Sequence, residues 1–227
     1  MPLALVIGNK NYSSWSMRPW VLMREAGIAF EEIQLWFDED GHPENIERYS
    51  PAGRVPVLLV DNEPVWDSLT VCETIAEMFP QKRLWPSDAS ARALARSICA
   101  EMHSGFRDLR GAMPVNIRTP LPGKGMNPAV RKDIDRIVAI WHSCRERFGA
   151  AGPMLFGEFC IADAYFAPVV TRFMTYAVPL PPVAEAYAAA VFRLAAMQEW
   201  MAAARLETAF VAADEPYAEA GNPSTRS

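Results

Sequence analysis

Hydrophobic and polar positions divide the chain into an N-terminal part of mixed periodicity and a C-terminal part of helical periodicity. The short apolar run "LALVIGN" (3–9) predicts a buried strand, and the imperfect alternation of "FEEIQLWF" (30–37) predicts a second one. "VPVLLV" and "EPVWD", on either side of "DNE", predict a hairpin. Helical spacing predicts one helix from Ser16, closed by Gly27, and another over 68–79. With a short helix or turn at "PENIERYSP", the order is strand, helix, strand, helix, strand, strand, helix.

Strand signals stop after the proline-rich segment "PQKRLWPSD" (80–88), which is the best candidate for a domain boundary. Beyond it, apolar periodicity predicts helices over 88–113, 127–149, 160–177, 183–192 and 194–205. The loop between the first two is rich in Pro and Gly, and its length is typical of a mobile or site-covering segment. These patterns predict an α/β domain over 1–80, an all-α domain over 88–210 and a disordered tail over 211–227.

Composition and charge narrow the possible partners. The 227 residues have 51% hydrophobic side chains and a mean hydropathy near zero, as expected of a globular protein. A net charge of −5, with scattered lysines and arginines, lacks the basic footprint of a nucleic-acid-binding protein. No nucleic-acid partner is therefore expected.

The N-terminus and the cysteines favour a reducing compartment. "MPLALVIGNKN" lacks a basic start and a long apolar run, and no stretch of about 18 apolar residues could span a bilayer. The four cysteines are widely spaced, without a CxxC pattern or a histidine at metal-ligand spacing, so buried free thiols are expected. We expect a cytoplasmic protein that contacts no membrane and holds no metal.

Three serines in "NYSSWSMRPW", Ser13, Ser14 and Ser16, stand just before a predicted helix. Each could be an N-cap, accepting a hydrogen bond from a free backbone N–H of the first turn. The same place also suits chemistry, because a helix N-terminus stabilises an anion and a hydroxyl there could bind a thiolate. The thiol would have to come from another molecule, since this loop contains no cysteine. Ser16 is the better cap candidate, which would leave Ser13 to face a cleft.

Two further elements allow both a structural and a functional interpretation. In "GRVPVLL", Pro56 at a strand entrance could follow an ordinary trans bond, whereas a cis Val55–Pro56 bond would expose the Val55 backbone to an extended peptide. Asp67 and Ser68 lie where a strand ends and a helix begins, so they could be caps. They could also bind an amino-acid head group carrying both charges.

Taken together and in this order, these elements resemble the glutathione transferase superfamily, in particular its serine-type, zeta-like and related bacterial classes. The resemblance covers about residues 3–205 and implies a thioredoxin-like domain followed by an all-helical one. "SSWSMRPW" is similar to the family's serine loop: Ser13 matches the catalytic serine, Ser14 and Ser16 its neighbours and Arg18 its arginine.

The resemblance also implies how a ligand binds. Glutathione would be the co-substrate, with Val55 and Pro56 as the backbone clamp, Arg54 beside them, and Asp67 and Ser68 at the γ-glutamyl end. A homodimer is implied in the same way. The chain departs from the family pattern at Cys160, which occupies the cap position of a buried box and leaves Asp163 to work largely alone. It also departs at Asp67, where a longer side chain is commoner.

The predicted helix over 88–113 carries a mixed aromatic and basic stripe, formed by His103, Phe106, Arg107 and Arg110. The stripe could be a solvated face with one aromatic turned inward. Alternatively, it lies across the cleft from Ser13 and lines the site of the second substrate, a small hydrophobic electrophile.

The resulting hypothesis is a glutathione transferase, or a glutathione-dependent isomerase, in which a serine hydroxyl activates the thiol for detoxification chemistry. The alternative is a non-catalytic binding or scaffolding protein of the same fold. A thiol-disulfide reductase is disfavoured, because it would require a cysteine at position 13.

Overall fold

A four-stranded mixed sheet forms the N-terminal part of the chain. The computed structural model describes residues 2–218. The strand order is β2-β1-β3-β4, with β1 parallel to β2 and antiparallel to β3, and with β3 and β4 joined as an antiparallel hairpin. The strands are β1 (Leu3–Ile7), β2 (Glu31–Gln34), β3 (Val57–Val60) and β4 (Glu63–Trp66).

Eight α-helices complete the described residues. They are α1 (Ser14–Glu25), α2 (Ser68–Met78), α3 (Ala89–Ser104), α4 (Arg107–Ala112), α5 (Pro128–Phe148), α6 (Ile161–Thr175), α7 (Pro182–Phe192) and α8 (Ala195–Leu206). The short helix or turn predicted after β2 is a 3₁₀ turn, Ile46–Arg48. The predicted fold class, a small α/β domain followed by an all-α domain, is confirmed.

The predicted helix over 88–113 is wrong in one respect, because it is broken at Gly105 and Phe106. Gly105 is extended, and a Cβ built on it would lie 2.8 Å from the Glu101 carbonyl oxygen. Phe106 has a φ of 56°, in the left-handed region. The chain therefore turns between α3 and α4, and the two flanking segments do not share one helical face.

The two parts of the chain pack through α1 and α6, which contribute to one continuous apolar core. Arg18 of α1 is fully buried in this contact. Its Nε donates to the Tyr165 carbonyl at 3.2 Å, and its Nη1 donates to the Ser14 carbonyl at 2.9 Å. Because a buried guanidinium needs such partners, Arg18 ties the start of α1 to α6.

At the N-terminus of α6, Asp163 forms the carboxylate half of a capping box with Cys160. Its carboxylate accepts hydrogen bonds from the Cys160 N–H at 2.9 Å, the Leu155 N–H at 3.0 Å and the Tyr187 hydroxyl at 3.1 Å. All four cysteines of the chain are buried free thiols.

The tail predicted to be disordered over 211–227 is ordered in its first part. Val211 is buried, residues Ala212–Asp214 form a 3₁₀ turn, and the Tyr217 hydroxyl donates to the Ala112 carbonyl at 2.7 Å. Tertiary contacts thus order a polar segment that has no periodicity of its own. The rest of the predicted tail, 219–227, lies outside the described residues.

Candidate active site

The N-terminus of α1 presents two of the three serines to a cavity. Ser13 is the N-cap, and its Oγ accepts from the Ser16 N–H at 3.3 Å. Ser14 is the first helical residue, and both serines line a cavity of about 570 Å³. We call this the serine cavity; its other lining residues include Tyr12, Trp15, Val55, Arg172 and Asp214.

The expectation that Ser16 caps α1 and leaves Ser13 free is wrong, because Ser13 itself is the cap. Ser16 is fully buried below the cavity, where its Oγ accepts from the Gly8 N–H at 3.1 Å. The Ser13 hydroxyl donates to Ser16 Oγ at 2.8 Å. Ser16 therefore supports Ser13 from beneath and does not line the serine cavity.

A second cavity of about 580 Å³ continues from the first along the strand ends. It shares Trp15, Arg54 and Val55 with the serine cavity, and it adds Pro56, Asp67, Ser68 and His103. We call it the Asp67 cavity. The Val55–Pro56 peptide bond is cis. The five residues predicted around a peptide ligand therefore lie along one cleft.

Asp67 caps α2 in a strained backbone conformation. Its φ is 73° and its ψ is 129°, in a region that non-glycine residues rarely adopt. One carboxylate oxygen accepts from the Leu69 N–H at 2.8 Å and the Thr70 N–H at 3.3 Å. The cap interpretation is thus correct, and the carboxylate remains partly exposed in the cavity.

A chain of polar contacts joins this cap to the helical domain. The second oxygen of Asp67 lies 3.2 Å from His103 Nε2, and His103 Nδ1 lies 3.2 Å from the Tyr165 hydroxyl. That hydroxyl lies 2.9 Å from Ser68 Oγ, and burial raises the pKa of Tyr165. His103 thus reaches the Asp67 end of the cleft, which the sequence pattern does not reveal.

The remaining residues of the predicted stripe separate. Arg107 and Arg110 line both cavities, and the Arg110 guanidinium stacks 4.7 Å from the Trp15 ring. Phe106 is 7% exposed, belongs to the apolar core and lines neither cavity. Its predicted place beside the acceptor is wrong, because the break before α4 turns Phe106 inward and the arginines outward.

The N-terminal part of the chain, which carries much of this cleft, is similar to a known protein family. The family model described as "Glutathione S-transferase, N-terminal domain" matches residues 12–78. Over 174 residues, the chain is 26% identical to the maleylacetoacetate isomerase of Rattus norvegicus, covering 75% of this chain and 78% of that protein. Residues 12–78 are therefore similar to the N-terminal domain of glutathione S-transferases, and the rat isomerase extends a weaker similarity over most of the chain.

A solved structure is similar in fold, and a second relative is similar in sequence over part of the chain. A glutathione transferase homologue from Burkholderia gl BGR1, solved with bound glutathione, superposes with a TM-score of 0.69 at 23% identity, covering 90% of this chain and 99% of that one. The maleylacetoacetate isomerase of Mus musculus is 31% identical over 101 residues, which is 43% of this chain and 47% of the mouse protein. That alignment spans less than half of the relative's length.

Several residues that line the cleft are not identified from the sequence. Tyr12 and Trp15 stand within the serine motif, which could have signalled them, whereas His42, Arg172 and Asp214 reach the serine cavity only through the fold. Burial raises the pKa of the Asp214 carboxyl to about 6, although Arg172 lowers it. Burial also lowers the pKa of Arg172 to about 9, so its guanidinium remains cationic at neutral pH.

Residues 2–218 contain neither a metal-binding cluster nor a helix that could span a membrane. There, no group of three or more His, Cys, Asp or Glu side chains is arranged to bind a metal ion. None of the helices described combines the length and the apolar character that crossing a membrane requires.

Proposed function

We propose that this protein is a glutathione-dependent transferase or isomerase in which Ser13 activates the thiol of glutathione. The observation that carries the proposal is the continuity of the two cavities. Serine hydroxyls at the positive end of α1 lie at one end of a cleft whose other end holds Asp67 and Ser68. A tripeptide-sized ligand can therefore reach both.

The polar groups along the cleft fit glutathione. The ammonium of its γ-glutamyl end would pair with the partly exposed Asp67 carboxylate, beside the buried Ser68. No hydrogen bond from another described residue uses the N–H or C=O of Val55, so both are free to pair with the cysteinyl backbone. Arg54 and His42, both exposed at the rim of the serine cavity, suit the glycine carboxylate.

The hydrogen bonds of Ser13 allow its hydroxyl to donate to the sulfur of glutathione. Its hydroxyl donates to Ser16 Oγ, and rotation of the two hydroxyl protons reverses that bond. Ser13 Oγ then accepts from both the N–H and the hydroxyl of Ser16 while its own proton points to the cavity. Such chains of hydrogen bonds polarise one another, which makes Ser13 a better donor to a thiolate.

The thiolate of bound glutathione would attack an electrophilic carbon of the acceptor. If the new carbon–sulfur bond remains, the product is a conjugate; if the sulfur leaves again, the product is an isomer of the acceptor. The rat and mouse relatives are maleylacetoacetate isomerases, which supports the isomerase alternative. Trp15, Arg107 and Arg110 would border the acceptor. We propose a cytoplasmic homodimer, in keeping with the superfamily resemblance.

The test measures the pKa of the bound thiol from the ultraviolet absorbance of the thiolate across a pH series. In the wild-type protein, the pKa of the bound glutathione thiol should be lower than that of free glutathione. Ser13→Ala should raise it by about one to two units, because a hydrogen bond to a charged group contributes about 1.5–3 kcal/mol. The kcat/KM of Ser13→Ala should be lower than that of wild type near neutral pH. The difference should become smaller as the pH rises, because the thiol then ionises without help from the serine.

Ser14→Ala and Ser16→Ala are the matched variants. If Ser14→Ala raises the thiol pKa and Ser13→Ala leaves it unchanged, Ser14 is the donor. If wild type binds glutathione without ionising it and conjugates no generic electrophile, the protein is a non-catalytic binding module and the proposed function is wrong.

A further inference from the structure

We infer, on the basis of the proposed function, that His103 sets the direction of a hydrogen-bond relay and thereby couples binding of the γ-glutamyl carboxylate to the uptake of a proton. The relay runs from Asp67 through His103 and Tyr165 to Ser68. Its two ends, Asp67 and Ser68, both line the Asp67 cavity. His103 acts on the ligand through Ser68, so it is a positioning residue.

While His103 is neutral, Asp67 fixes the direction of the relay. A carboxylate only accepts hydrogen bonds, so His103 Nε2, 3.2 Å away, carries the single ring proton and donates it. The other ring nitrogen, Nδ1, then accepts from the Tyr165 hydroxyl at 3.2 Å, and that hydroxyl accepts from Ser68 at 2.9 Å. Ser68 thus gives its only proton to Tyr165 and presents lone pairs to the cavity. Asp67 and Ser68 are then both acceptors, which suits an ammonium but not a carboxylate.

A second ring proton on His103 reverses the relay with the same contacts between heavy atoms. His103 Nδ1 donates to the Tyr165 oxygen, the Tyr165 hydroxyl donates to Ser68 Oγ, and the Ser68 hydroxyl is released to donate into the cavity. Tyr165 stays protonated in both arrangements, since burial raises its pKa. The site then offers a carboxylate beside a cation and a hydroxyl donor. This set matches the ammonium and the carboxylate of an α-amino-acid head group.

The packing around the relay allows it to transmit this change. Tyr165 of α6 and Ser68 of α2 are both buried. Among residues 2–218, their hydroxyls bond only to each other and to His103. Trp15 packs edge-on against the His103 ring, with the ring centroids 5.3 Å apart, which helps to fix the ring's orientation. Because neither hydroxyl has an alternative partner, a reversal at His103 reaches Ser68.

The charges around His103 act on its proton in opposite directions. Asp67 favours the protonated ring. Arg107 and Arg110 of α4, which line the same cavity, oppose it, as does Arg18 of α1, which lies 5.1 Å from the Tyr165 ring. A ligand carboxylate at the Ser68 end would add a negative charge and favour the protonated ring. Binding of the head group should therefore take up a proton, so its affinity should fall as the pH rises through the range in which histidine titrates.

The test uses two peptides without a free thiol, so that proton release from the thiol plays no part. One is S-methylglutathione, and the other is its analogue with aminobutyrate in place of the γ-glutamyl residue, which lacks only that carboxylate. Calorimetry in buffers of different ionisation enthalpy measures the protons taken up on binding. Near neutral pH, wild type should take up a large fraction of one proton with S-methylglutathione and clearly less with the analogue. Both peptides keep the glycine carboxylate, so protons exchanged at His42 or Asp214 cancel in this comparison.

The affinity and two variants test the relay itself. Wild-type affinity for S-methylglutathione should fall about tenfold from about pH 6 to about pH 8, as for the loss of one hydrogen bond to a charged group. His103→Gln keeps a donor to Asp67 and an acceptor for Tyr165 but cannot gain a proton, so the difference between the peptides should vanish. Tyr165→Phe keeps His103 and interrupts the relay, so it should abolish the difference as well. His142→Gln, which removes an exposed histidine of α5, should leave it unchanged.

Equal proton uptake with the two peptides in wild type would overturn the inference and leave the proposed function intact. A wild-type difference in Tyr165→Phe would also overturn it, since His103 would then act on the ligand without the relay. If uptake depends on the carboxylate but bound glutathione is never ionised, the inference holds and the proposed function is wrong. If neither peptide binds, both are wrong.

Discussion

At the scale of single residues, the start of α1 shows that a serine can cap a helix and still face the cavity in which we propose that it activates a thiol. A cap uses a lone pair of the hydroxyl oxygen to accept a backbone N–H, which leaves the hydroxyl proton to donate elsewhere. Ser13 accepts from the Ser16 N–H and still lines the serine cavity. The two interpretations that the sequence sets against each other are therefore compatible.

Asp67 caps α2, and we propose that it also binds the γ-glutamyl end of glutathione; two variants separate the two roles. Asp67→Ala should lower glutathione affinity about ten- to hundredfold by calorimetry, because it removes the carboxylate that would pair with the γ-glutamyl ammonium. It should also destabilise the protein by about 0.5–2 kcal/mol through loss of the α2 cap.

Asp67→Asn keeps an oxygen for the cap and loses only the charge. It should therefore lower glutathione affinity with little change in the free energy of unfolding. Wild-type affinity in Asp67→Asn would show that the ammonium binds elsewhere.

At the scale of elements, the break between α3 and α4 decides which side chains face the cleft. The charged and apolar residues over 88–113 are compatible with one uninterrupted helix. Instead, the extended Gly105 and the left-handed Phe106 redirect the chain, so Arg107 and Arg110 reach the cleft while Phe106 enters the core. Arg110 Nη1 donates to the His103 and Gly105 carbonyls at 3.3 and 3.2 Å, which secures the break.

Phe106→Ala should therefore act on stability and not on acceptor binding. We expect a loss of about 3–5 kcal/mol in the free energy of unfolding, as for other buried phenylalanines cut back to alanine. Denaturant unfolding measures this, and Phe106→Leu should lose clearly less. A large rise in acceptor KM in a variant with wild-type stability would return Phe106 to the acceptor site.

At the scale of the whole molecule, the segment that follows α8 contacts the loop that precedes Ser13. The Glu207 carboxylate, just after α8, accepts from the Lys10 N–H at 2.6 Å and the Asn11 N–H at 3.0 Å. The Tyr12 hydroxyl donates to the Glu215 carboxylate at 2.8 Å. The serine loop is thus held by residues about 200 positions away in the sequence, and one of these residues, Glu215, belongs to the segment predicted to be disordered.

Glu207→Ala should both destabilise the protein and impair thiol activation. Two buried backbone N–H groups would lose their acceptor, at a cost of about 1–3 kcal/mol each. The looser loop should raise the pKa of the bound thiol, measured as for the serine variants. Glu199→Gln removes an exposed carboxylate of α8 and serves as the control. If Glu207→Ala has the same midpoint of denaturant unfolding as wild type and the same pKa of the bound thiol, the loop does not depend on Glu207.

Much of the fold could be predicted because its signals are local. Alternation and helical spacing report which face of an element is buried, and caps and prolines report where it ends. These rules predicted the order of strands and helices, the serines at the start of α1 and the Asp67–Ser68 junction. They did not predict the break at Gly105, since the residues on either side of it are compatible with one helix and the burial of Phe106 depends on a core assembled from distant elements.

The sequence by itself therefore determined the elements and the residue types at their ends, because these follow from each residue's own propensity and its near neighbours. Only the tertiary structure decided which side chains meet. His103 and Tyr165 join Asp67 to Ser68, Arg172 and Asp214 reach the serine cavity, and Glu207 holds the loop before Ser13. The reason is that buried polar groups must find partners wherever close packing brings them together, and packing joins residues that sequence spacing does not relate.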